Sequence, residues 1–388
     1  MSWPDIAREI KGLKKANLYR SLESVSSAAG PVIRLAGREF VNLSSNNYLG
    51  LARHPQIIRK TAQALRRWGT GSGASRLISG DLKIHADLEE KLARFKKEEA
   101  ASVFSSGYLA ALGAVTALLN EKDLVLADRL NHASLIDAAR LSRAKLWVYP
   151  HKNAAELSRL LAKAGGFRRK LVVTDAYFSM DGDVAPLDEL LELCERQCAV
   201  LVIDEAHSTG VFGRSGRGLT EQFHLEGKIP VVMGTLSKAL GSVGGFIAGK
   251  RALKETLHNF CRAFIYTTAP SPSASASAME ALGIIEKHSI FRKKLWENIR
   301  FLREALTESG FDLMGSEGPI IPIQMSDSVK TLRFRDQLKK EGFIVSAIRP
   351  PTVPRGTDRL RLSVSAAHSK AQMTSLVRAM KKMGQPFR

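Results

Sequence analysis

The chain has 388 residues, enough for two or three domains, and its 44% hydrophobic and 25% charged residues are typical of a globular protein. Three cysteines are too few for a disulfide framework, and neither a signal-like N-terminus nor a long apolar run predicts export or membrane insertion, so we expect a cytoplasmic protein. The net charge of +20 would suit an acidic partner, but the basic residues are spread along the chain, which favours a solvated basic surface.

The first predicted elements are an amphipathic helix at 4–22 and a hairpin at 31–43. From about 50 to 285, helices alternate with apolar strand-like runs, which predicts a mostly parallel, seven-stranded sheet covered by helices. The helices are expected at 55–67, 85–97, 107–119, 154–164 and 187–197. The strands are expected at 101–104, 124–127, 145–149, 171–174, 199–204, 230–233 and 244–248. Ligands bind such sheets at the carboxyl ends of the strands.

A long charged helix predicted at 283–308 marks a change of character. It is followed by short strands at 320–325, 343–348 and 359–364 and by helices at 328–341 and 369–383. We therefore predict an N-terminal helix and hairpin at 1–45, a large α/β domain at 46–285 and a small α+β domain at 286–388.

The strongest chemical signal is a pair of strand ends. A buried strand is predicted to end at Asp204, with His207 in the loop that follows, and Lys238 lies after the next apolar strand. Pyridoxal 5'-phosphate (PLP) needs a lysine amine for its aldehyde and a carboxylate that keeps its ring nitrogen protonated. Hydroxyls and amides at a helix start must hold its phosphate. Thr235 and Ser237 fit that role, as does the turn at 105–108.

Each signal has an ordinary alternative when it is taken alone. A strand-end Asp is more often a cap, a lone loop Lys is usually solvated, and His207 could be a buried core histidine. The letters at 204–207 also spell the DEAH box of helicases, and 244–251 comes close to a P-loop. However, Arg251 replaces the required hydroxyl, and the order of the two motifs is reversed. We therefore expect a PLP enzyme that does not bind nucleic acid.

The chain resembles the α-oxoamine synthases, a branch of the fold-type I PLP enzymes, over nearly its whole length. The resemblance is carried by SNNYLGL at 45–51, GSGASR at 71–76, SG at 79–80, His85, LE at 88–89, DRLNHAS at 128–134, FSMDGD at 178–183 and the sites around Asp204 and Lys238.

This resemblance implies a fold-type I transferase fold, PLP as the cofactor, no metal, and a homodimer with shared active sites. His132 would stack on the PLP ring, Asp204 would pair with its nitrogen, and Lys238 would hold it covalently. His207, with Ser179, would contact the phenolic oxygen. The phosphate would be held by Ser106, Gly107, Tyr108 and Thr235, together with Thr267 and Thr268 from the neighbouring subunit.

The segment AIRPPTVP at 347–354 is similar to the biotin-pathway branch of the family. That branch condenses L-alanine with a pimeloyl thioester, either pimeloyl-CoA or pimeloyl-acyl carrier protein. Arg361 aligns with the family's clamp for the amino-acid carboxylate, where a bidentate guanidinium is suited to two oxygens. Asn46 would assist it, and Arg20 would reach the substrate. Arg359 lies on the same strand face as Arg361, which would place it near the substrate. The alternative for Arg359 is an ordinary salt bridge on the surface.

One position favours a different member of the family. Asp175 stands where the biotin-pathway enzymes often carry Glu and glycine acetyltransferases often carry Asp. The sequence therefore leaves glycine C-acetyltransferase as the alternative activity.

Overall fold

The protein is described from a computed structural model, which covers residues 3–325 and 327–384. Its internal contacts divide the chain into two units. The larger unit comprises Leu49–Ser179 and Asp183–Arg292, and the smaller comprises Met1–Tyr48, Met180–Gly182 and Lys293–Arg388. Within the described ranges, no helix combines the length and apolar character needed to cross a bilayer.

The helices in chain order are α1 (Trp3–Lys15), α2 (Pro55–Trp68), α3 (Lys83–Lys96), α4 (Gly107–Thr116), α5 (Ala133–Leu141), α6 (Ala154–Ala162), α7 (Leu187–Arg196), α8 (Leu219–Gln222), α9 (Arg251–Phe260), α10 (Arg262–Ile265), α11 (Pro272–Lys287), α12 (Ile290–Glu308), α13 (Ser328–Lys340) and α14 (Lys370–Met383). The strands are β1 (Val32–Leu35), β2 (Arg38–Asn42), β3 (Ala100–Phe104), β4 (Leu124–Asp128), β5 (Lys145–Tyr149), β6 (Lys170–Asp175), β7 (Val200–Asp204), β8 (Val231–Thr235), β9 (Gly245–Gly249), β10 (Ile320–Gln324), β11 (Phe343–Ile344), β12 (Ser346–Ile348) and β13 (Arg359–Ser363).

The larger unit is built on the predicted seven-stranded sheet, with strand order β3-β9-β8-β7-β6-β4-β5. The pairs among β4, β5, β6, β7 and β8 are parallel, whereas β9 is antiparallel to both of its neighbours. Every residue of β3, β4, β8 and β9 is buried, because helices cover both faces of such a sheet. This explains why these strands are continuous apolar runs in the sequence.

Helix α4 packs into the core of the larger unit through an inner face of small residues. Ala110, Ala111 and Ala114 are fully buried in the core of the larger unit. A Cβ added to Gly113 would come within 2.8 Å of the Cys261 sulfur, so the contact tolerates no larger side chain. This packing fixes the N-terminus of α4 beside the carboxyl ends of the strands.

The smaller unit contains two three-stranded sheets, ordered β1-β2-β11 and β10-β13-β12. The first buries a small core of Ile33, Leu35 and Phe40. The second is antiparallel, with β13 in its centre and all residues of β13 buried. The run predicted as one strand at 343–348 is therefore two strands, β11 and β12, which pair in different sheets.

Two predicted boundaries are wrong for local backbone reasons. Helix α1 ends at Lys15 and not at 22, and Asn17 takes a left-handed conformation (φ 56°) that asparagine tolerates. The helix predicted at 283–308 is interrupted at His288, whose backbone is extended, so α11 and α12 are separate. Gly245–Gly249 form strand β9, which leads into α9, so this near-match is not a phosphate-binding loop.

A buried ion pair joins α3 to the loop after β7. Lys96 and Glu205 contact each other with side chains that are 1% and 0% exposed. Lys96 also donates to the carbonyl of Arg217, and Glu205 accepts the backbone N–H of Thr220 at 2.7 Å. Since Glu205 directly follows Asp204, this pair anchors the chain immediately beyond the predicted pyridine partner.

We expect Lys96→Met to lower the free energy of unfolding by about 3–5 kcal/mol, because it leaves Glu205 buried without its cation. Lys97→Met is the matched control, since Lys97 pairs with Glu226 at an exposed position. That change should cost less than about 1 kcal/mol. Equal losses in the two variants, measured by urea denaturation, would contradict a structural role for the buried pair.

Candidate active site

The predicted site lies at the carboxyl ends of parallel strands in the larger unit. Strands β4, β6, β7 and β8 end at Asp128, Asp175, Asp204 and Thr235. Asp175 and Asp204 are directly opposed in the β6–β7 register. Two carboxyl groups are thus buried side by side at the edge where α/β sheets bind ligands.

Asp204 is held in an environment that disfavours its charge. Burial raises the pKa of its carboxyl group, and the charges of Lys238 and His132 and a hydrogen bond from the Ala206 N–H, at 2.8 Å, oppose this effect. Lys238 and His132 are therefore close enough to act electrostatically on Asp204. The structure brings together the lysine, the buried carboxyl group and the histidine that the sequence predicted.

His132 is positioned through its backbone by the end of β6. Its N–H donates to Asp175 Oδ2 at 2.6 Å. The preceding residue, Asn131, donates to the Val173 carbonyl at 2.8 Å and accepts from the Asp175 N–H at 3.1 Å. These hydrogen bonds hold the loop between β4 and α5 against β6. They thereby fix the position of the His132 backbone, from which the ring extends.

A small-residue cradle lies at the N-terminus of α4. Ser106 caps the helix by accepting the Leu109 N–H at 3.1 Å. A Cβ on Gly107 would lie 3.2 Å from Thr235, and one on Gly245 would lie 2.5 Å from the Ser106 carbonyl. Such a helix start offers backbone amides to an anion. The side chain of Thr235 contacts Ser237 Oγ at 2.8 Å.

These residues fit PLP. The buried Asp204, the nearby Lys238 and His132, and the glycine-lined cradle at the start of α4 supply one group for each part of the cofactor. His207 is also buried, with its ring near that of Tyr177. Tyr108 donates its hydroxyl group to Asp137 at 2.8 Å, so only its backbone is placed at the cradle.

The remaining predicted cofactor contacts are at or near the surface of the larger unit. Thr267 is half-buried and Thr268 is exposed, and both line a cavity of about 910 Å³ together with Ser105. Ser179 is half-buried at the start of the loop that leads to Asp183. The contacts predicted for these residues stay predictions.

The predicted carboxylate clamp lies in the smaller unit. Arg361 is buried and donates to Asn46 Oδ1 at 3.1 Å and to Ser363 Oγ at 2.9 Å. Tyr48 lies beside it: burial raises the pKa of Tyr48 to about 12, although Arg361 acts to lower it. Arg20 is exposed and donates to Thr352 at 3.2 Å. The structure thus joins Arg361 to Asn46, as predicted.

Sequence reasoning missed the contacts of three charged residues. Arg359 does form a salt bridge, the alternative considered for it, but its partner is the half-buried Asp181 at 2.6 Å and its own side chain is buried, so the pair is not on the surface. Arg349 is buried, donates to the Asn17 carbonyl, and its Nε has no hydrogen-bond partner among the described residues. His151 bridges Asp128 and Asp183. Their partners are distant in sequence, although Arg349 stands within the AIRPPTVP motif.

Comparison with known proteins identifies the family to which the chain belongs. Residues 38–380 match the model of the aminotransferase class I and II family. A curated relative from Geobacter sulfurreducens, named 8-amino-7-oxononanoate synthase, is 47% identical, with 98% of this chain and 97% of the relative aligned. Another of the same name, from Thermoanaerobacter pseudethanolicus, is 43% identical over 98% of this chain and 96% of its own length.

Solved structures show the same fold. Serine palmitoyltransferase from Sphingomonas wittichii superposes with a TM-score of 0.92 at 31% identity, covering 98% of this chain and 96% of its own. The enzyme of that name from S. paucimobilis, solved with PLP and myriocin, gives 0.92 at 30% identity over 97% and 96%. An 8-amino-7-oxononanoate synthase from Francisella tularensis gives 0.77 at 29% identity over 89% and 97%.

The adjacent carboxyl groups predict a pH-dependent stability. Burial and then the neighbouring Asp204 raise the pKa of Asp175 well above its usual range, so the folded state loses stability as pH rises from about 4 through the folded pKa. Asp175→Asn keeps an oxygen acceptor for the His132 N–H but cannot ionise. We expect it to raise the melting temperature of the apoprotein by about 2–6 °C at pH 8, and by less at pH 5.

Asp87→Asn is the control for this measurement, because Asp87 forms an exposed ion pair with Lys83. Its effect on the melting temperature should be small and similar at both pH values. A gain from Asp175→Asn that did not change with pH would show that Asp175 titrates normally.

Proposed function

We propose that this chain is an 8-amino-7-oxononanoate synthase. The proposal starts from its family, because the chain belongs to the aminotransferase class I and II family and, within it, to the α-oxoamine synthases. The reaction condenses L-alanine with a pimeloyl thioester, releases carbon dioxide and serves biotin biosynthesis. The observation that carries this proposal is the 47% identity to a relative of that name over 98% of the chain. The predictions of family, enzyme class and PLP dependence are confirmed.

PLP, when bound, supplies an electron sink for the bond that breaks at the amino-acid α-carbon. Lys238 holds the cofactor and moves the proton at that carbon. Asp204 keeps the proton on the cofactor's ring nitrogen, because a buried carboxylate next to a base raises the pKa of that base. The burial of Asp204 supports this role, since water cannot compete for the pair.

The other contacts orient the cofactor. His132 covers its ring, and the attachment of the His132 backbone to Asp175 supports a fixed stacking position. His207, with Ser179, donates to the phenolic oxygen. The helix start at Ser106, Gly107 and Tyr108 binds the phosphate with Thr235. Thr267 and Thr268 of a second subunit complete that contact in a homodimer, consistent with the exposure of Thr268.

Arg361 and Asn46 bind the carboxylate of alanine. The buried guanidinium already donates to Asn46 and Ser363, which limits its rotation and leaves its charge little screened by water. Arg20 contacts the substrate from the N-terminal segment. The thioester carrier is coenzyme A or an acyl carrier protein, both anionic, and the +20 net charge favours association with either in the cytoplasm.

The decisive experiment offers the purified holoenzyme a panel of thioesters with alanine or glycine. We expect turnover with alanine and pimeloyl-CoA or pimeloyl-acyl carrier protein to exceed that with glycine and acetyl-CoA by at least about 100-fold in kcat/KM. Preference for glycine and acetyl-CoA would assign the chain to glycine C-acetyltransferase, the activity that Asp175 favours at the sequence level. Borohydride reduction should label Lys238.

Arg361→Lys should reduce kcat/KM for alanine by about 10- to 100-fold, because lysine keeps the charge but loses the two-pronged contact. The KM for the thioester should change little. Arg378→Lys, at an exposed position on α14, is the control and should behave as the wild type. An effect confined to the thioester KM would move Arg361 to the other substrate.

A further inference from the structure

His151 occupies a bridging position that the proposed chemistry does not use. It lies in the turn after β5, and its side chain is 23% exposed. Its Nδ1 is 3.0 Å from Asp128 Oδ1, and its Nε2 is 2.9 Å from Asp183 Oδ2. The ring also meets Phe178 edge to face, with the ring centroids 4.4 Å apart at an angle of 89°.

Two carboxylate partners define the charge state of this ring. An ionised carboxylate can only accept hydrogen bonds, so both ring nitrogens must donate, and only the imidazolium form does so. Burial by itself would lower the pKa of His151, but the bonds to Asp128 and Asp183 outweigh it and raise that pKa to about 9. Lys152, in the same turn, contacts Asp183 at 3.0 Å. The buried Tyr149 phenol and the Asp175 carboxyl group interact electrostatically with Asp128.

Asp128 organises the loop that carries His132. Its Oδ1 accepts the Leu130 N–H at 2.8 Å, and its Oδ2 accepts the Lys152 N–H at 2.9 Å. Its backbone carbonyl accepts the Asn131 N–H at 3.1 Å. Movement of the Asp128 carboxylate would therefore alter the turn immediately before His132.

Asp183 closes the loop that carries Ser179. Its carbonyl accepts the Phe178 N–H at 2.9 Å, and a β-bridge joins Tyr177 to Val184 beyond it. Its Oδ1 is buried with no hydrogen-bond partner among the described residues, so the bonds at Oδ2 are the ones that restrain this side chain. The imidazolium thus joins two separate loops of the larger unit.

We propose that His151 is a positioning residue whose doubly protonated ring holds the His132 loop and the Ser179 loop together in the geometry that binds PLP. This inference rests on the proposed function, in which His132 and Ser179 contact the cofactor. His151 touches neither the cofactor nor the substrate, and its effect passes through Asp128 and Asp183. The contribution is present below the unfolded pKa of about 6.5 and is lost as pH rises through about 9.

The test compares PLP dissociation constants of the wild type and His151→Gln from pH 6.5 to 10.5, by absorbance titration of the apoprotein. Glutamine can donate to one carboxylate but carries no charge. We expect His151→Gln to bind PLP about tenfold more weakly at pH 7, and the ratio of the two constants to approach one above pH 10. The ratio cancels every ionisation that the two proteins share, including those of PLP and Lys238.

His288→Gln provides the matched control, because His288 is exposed and lies in the break between α11 and α12. It should give a ratio of one at every pH. A ratio of one for His151→Gln across the whole range would overturn the proposal. So would a tenfold ratio that did not depend on pH, because a purely structural defect would persist when His151 is neutral.

Asp183→Asn and ring NMR keep the test decisive if His151→Gln fails to fold. Asp183→Asn removes one of the two negative charges, so the step in PLP affinity should move below pH 9. In the wild type, both ring nitrogens of His151 should carry protons at pH 7.5 and titrate near pH 9. Titration near 6.5 would refute the bridge even if PLP binds normally. Absent PLP binding with a normal His151 titration would refute the proposed function and the effect on PLP that rests on it, and would leave only the bridge between the two loops.

Discussion

Exclusion of water from the carboxyl ends of the central strands is the constraint on which the rest of the site depends. Strands β4, β6 and β7 each end in an aspartate that is at least 95% buried, and Glu205 follows at 0% exposure. Isolated carboxylates in such surroundings are very unfavourable, so each needs a cation or several donors, or keeps its proton, as the raised pKa of Asp175 indicates. Lys238 and His132 act on Asp204, Lys96 neutralises Glu205, and His151 neutralises Asp128. The cations around the site thus offset the negative charge of these buried carboxylates.

The sequence predicted the central sheet and the proximity of Asp204 and Lys238, because those signals are local. Buried parallel strands are continuous apolar runs, and the positions of Asp204 and Lys238 relative to two such runs place both at one sheet edge. The ends of α1 and α11 were predicted wrongly because one residue outside the helical conformation, the left-handed Asn17 or the extended His288, ends a helix without disturbing the apolar pattern. The pairs of His151 and Arg359 could not be foreseen, because each depends on tertiary contacts between distant segments.

In this family, proteins with different named activities share one backbone fold. Serine palmitoyltransferases superpose with a TM-score of 0.92 at about 30% identity, although their name states another activity than that of the relatives named 8-amino-7-oxononanoate synthase. The backbone is therefore shared across branches, so the fold alone does not determine the substrate. The relatives named 8-amino-7-oxononanoate synthase, at 43% and 47% identity, are correspondingly more informative about activity than the superposition.

The short segment Met180–Gly182 has a consequence for exchanging parts between relatives. It belongs by its contacts to the unit otherwise formed by the two ends of the chain, and Asp181 is the salt-bridge partner of the buried Arg359. A chimera that took only the C-terminal stretch from a homologue would combine the homologue's residue at position 359 with Asp181 of this protein. Recombination that respects the fold must transfer three pieces together, the N-terminal 48 residues, this tripeptide and the stretch from Lys293 onward. The exchangeable units of this protein are thus defined by tertiary contacts and not by continuous stretches of sequence.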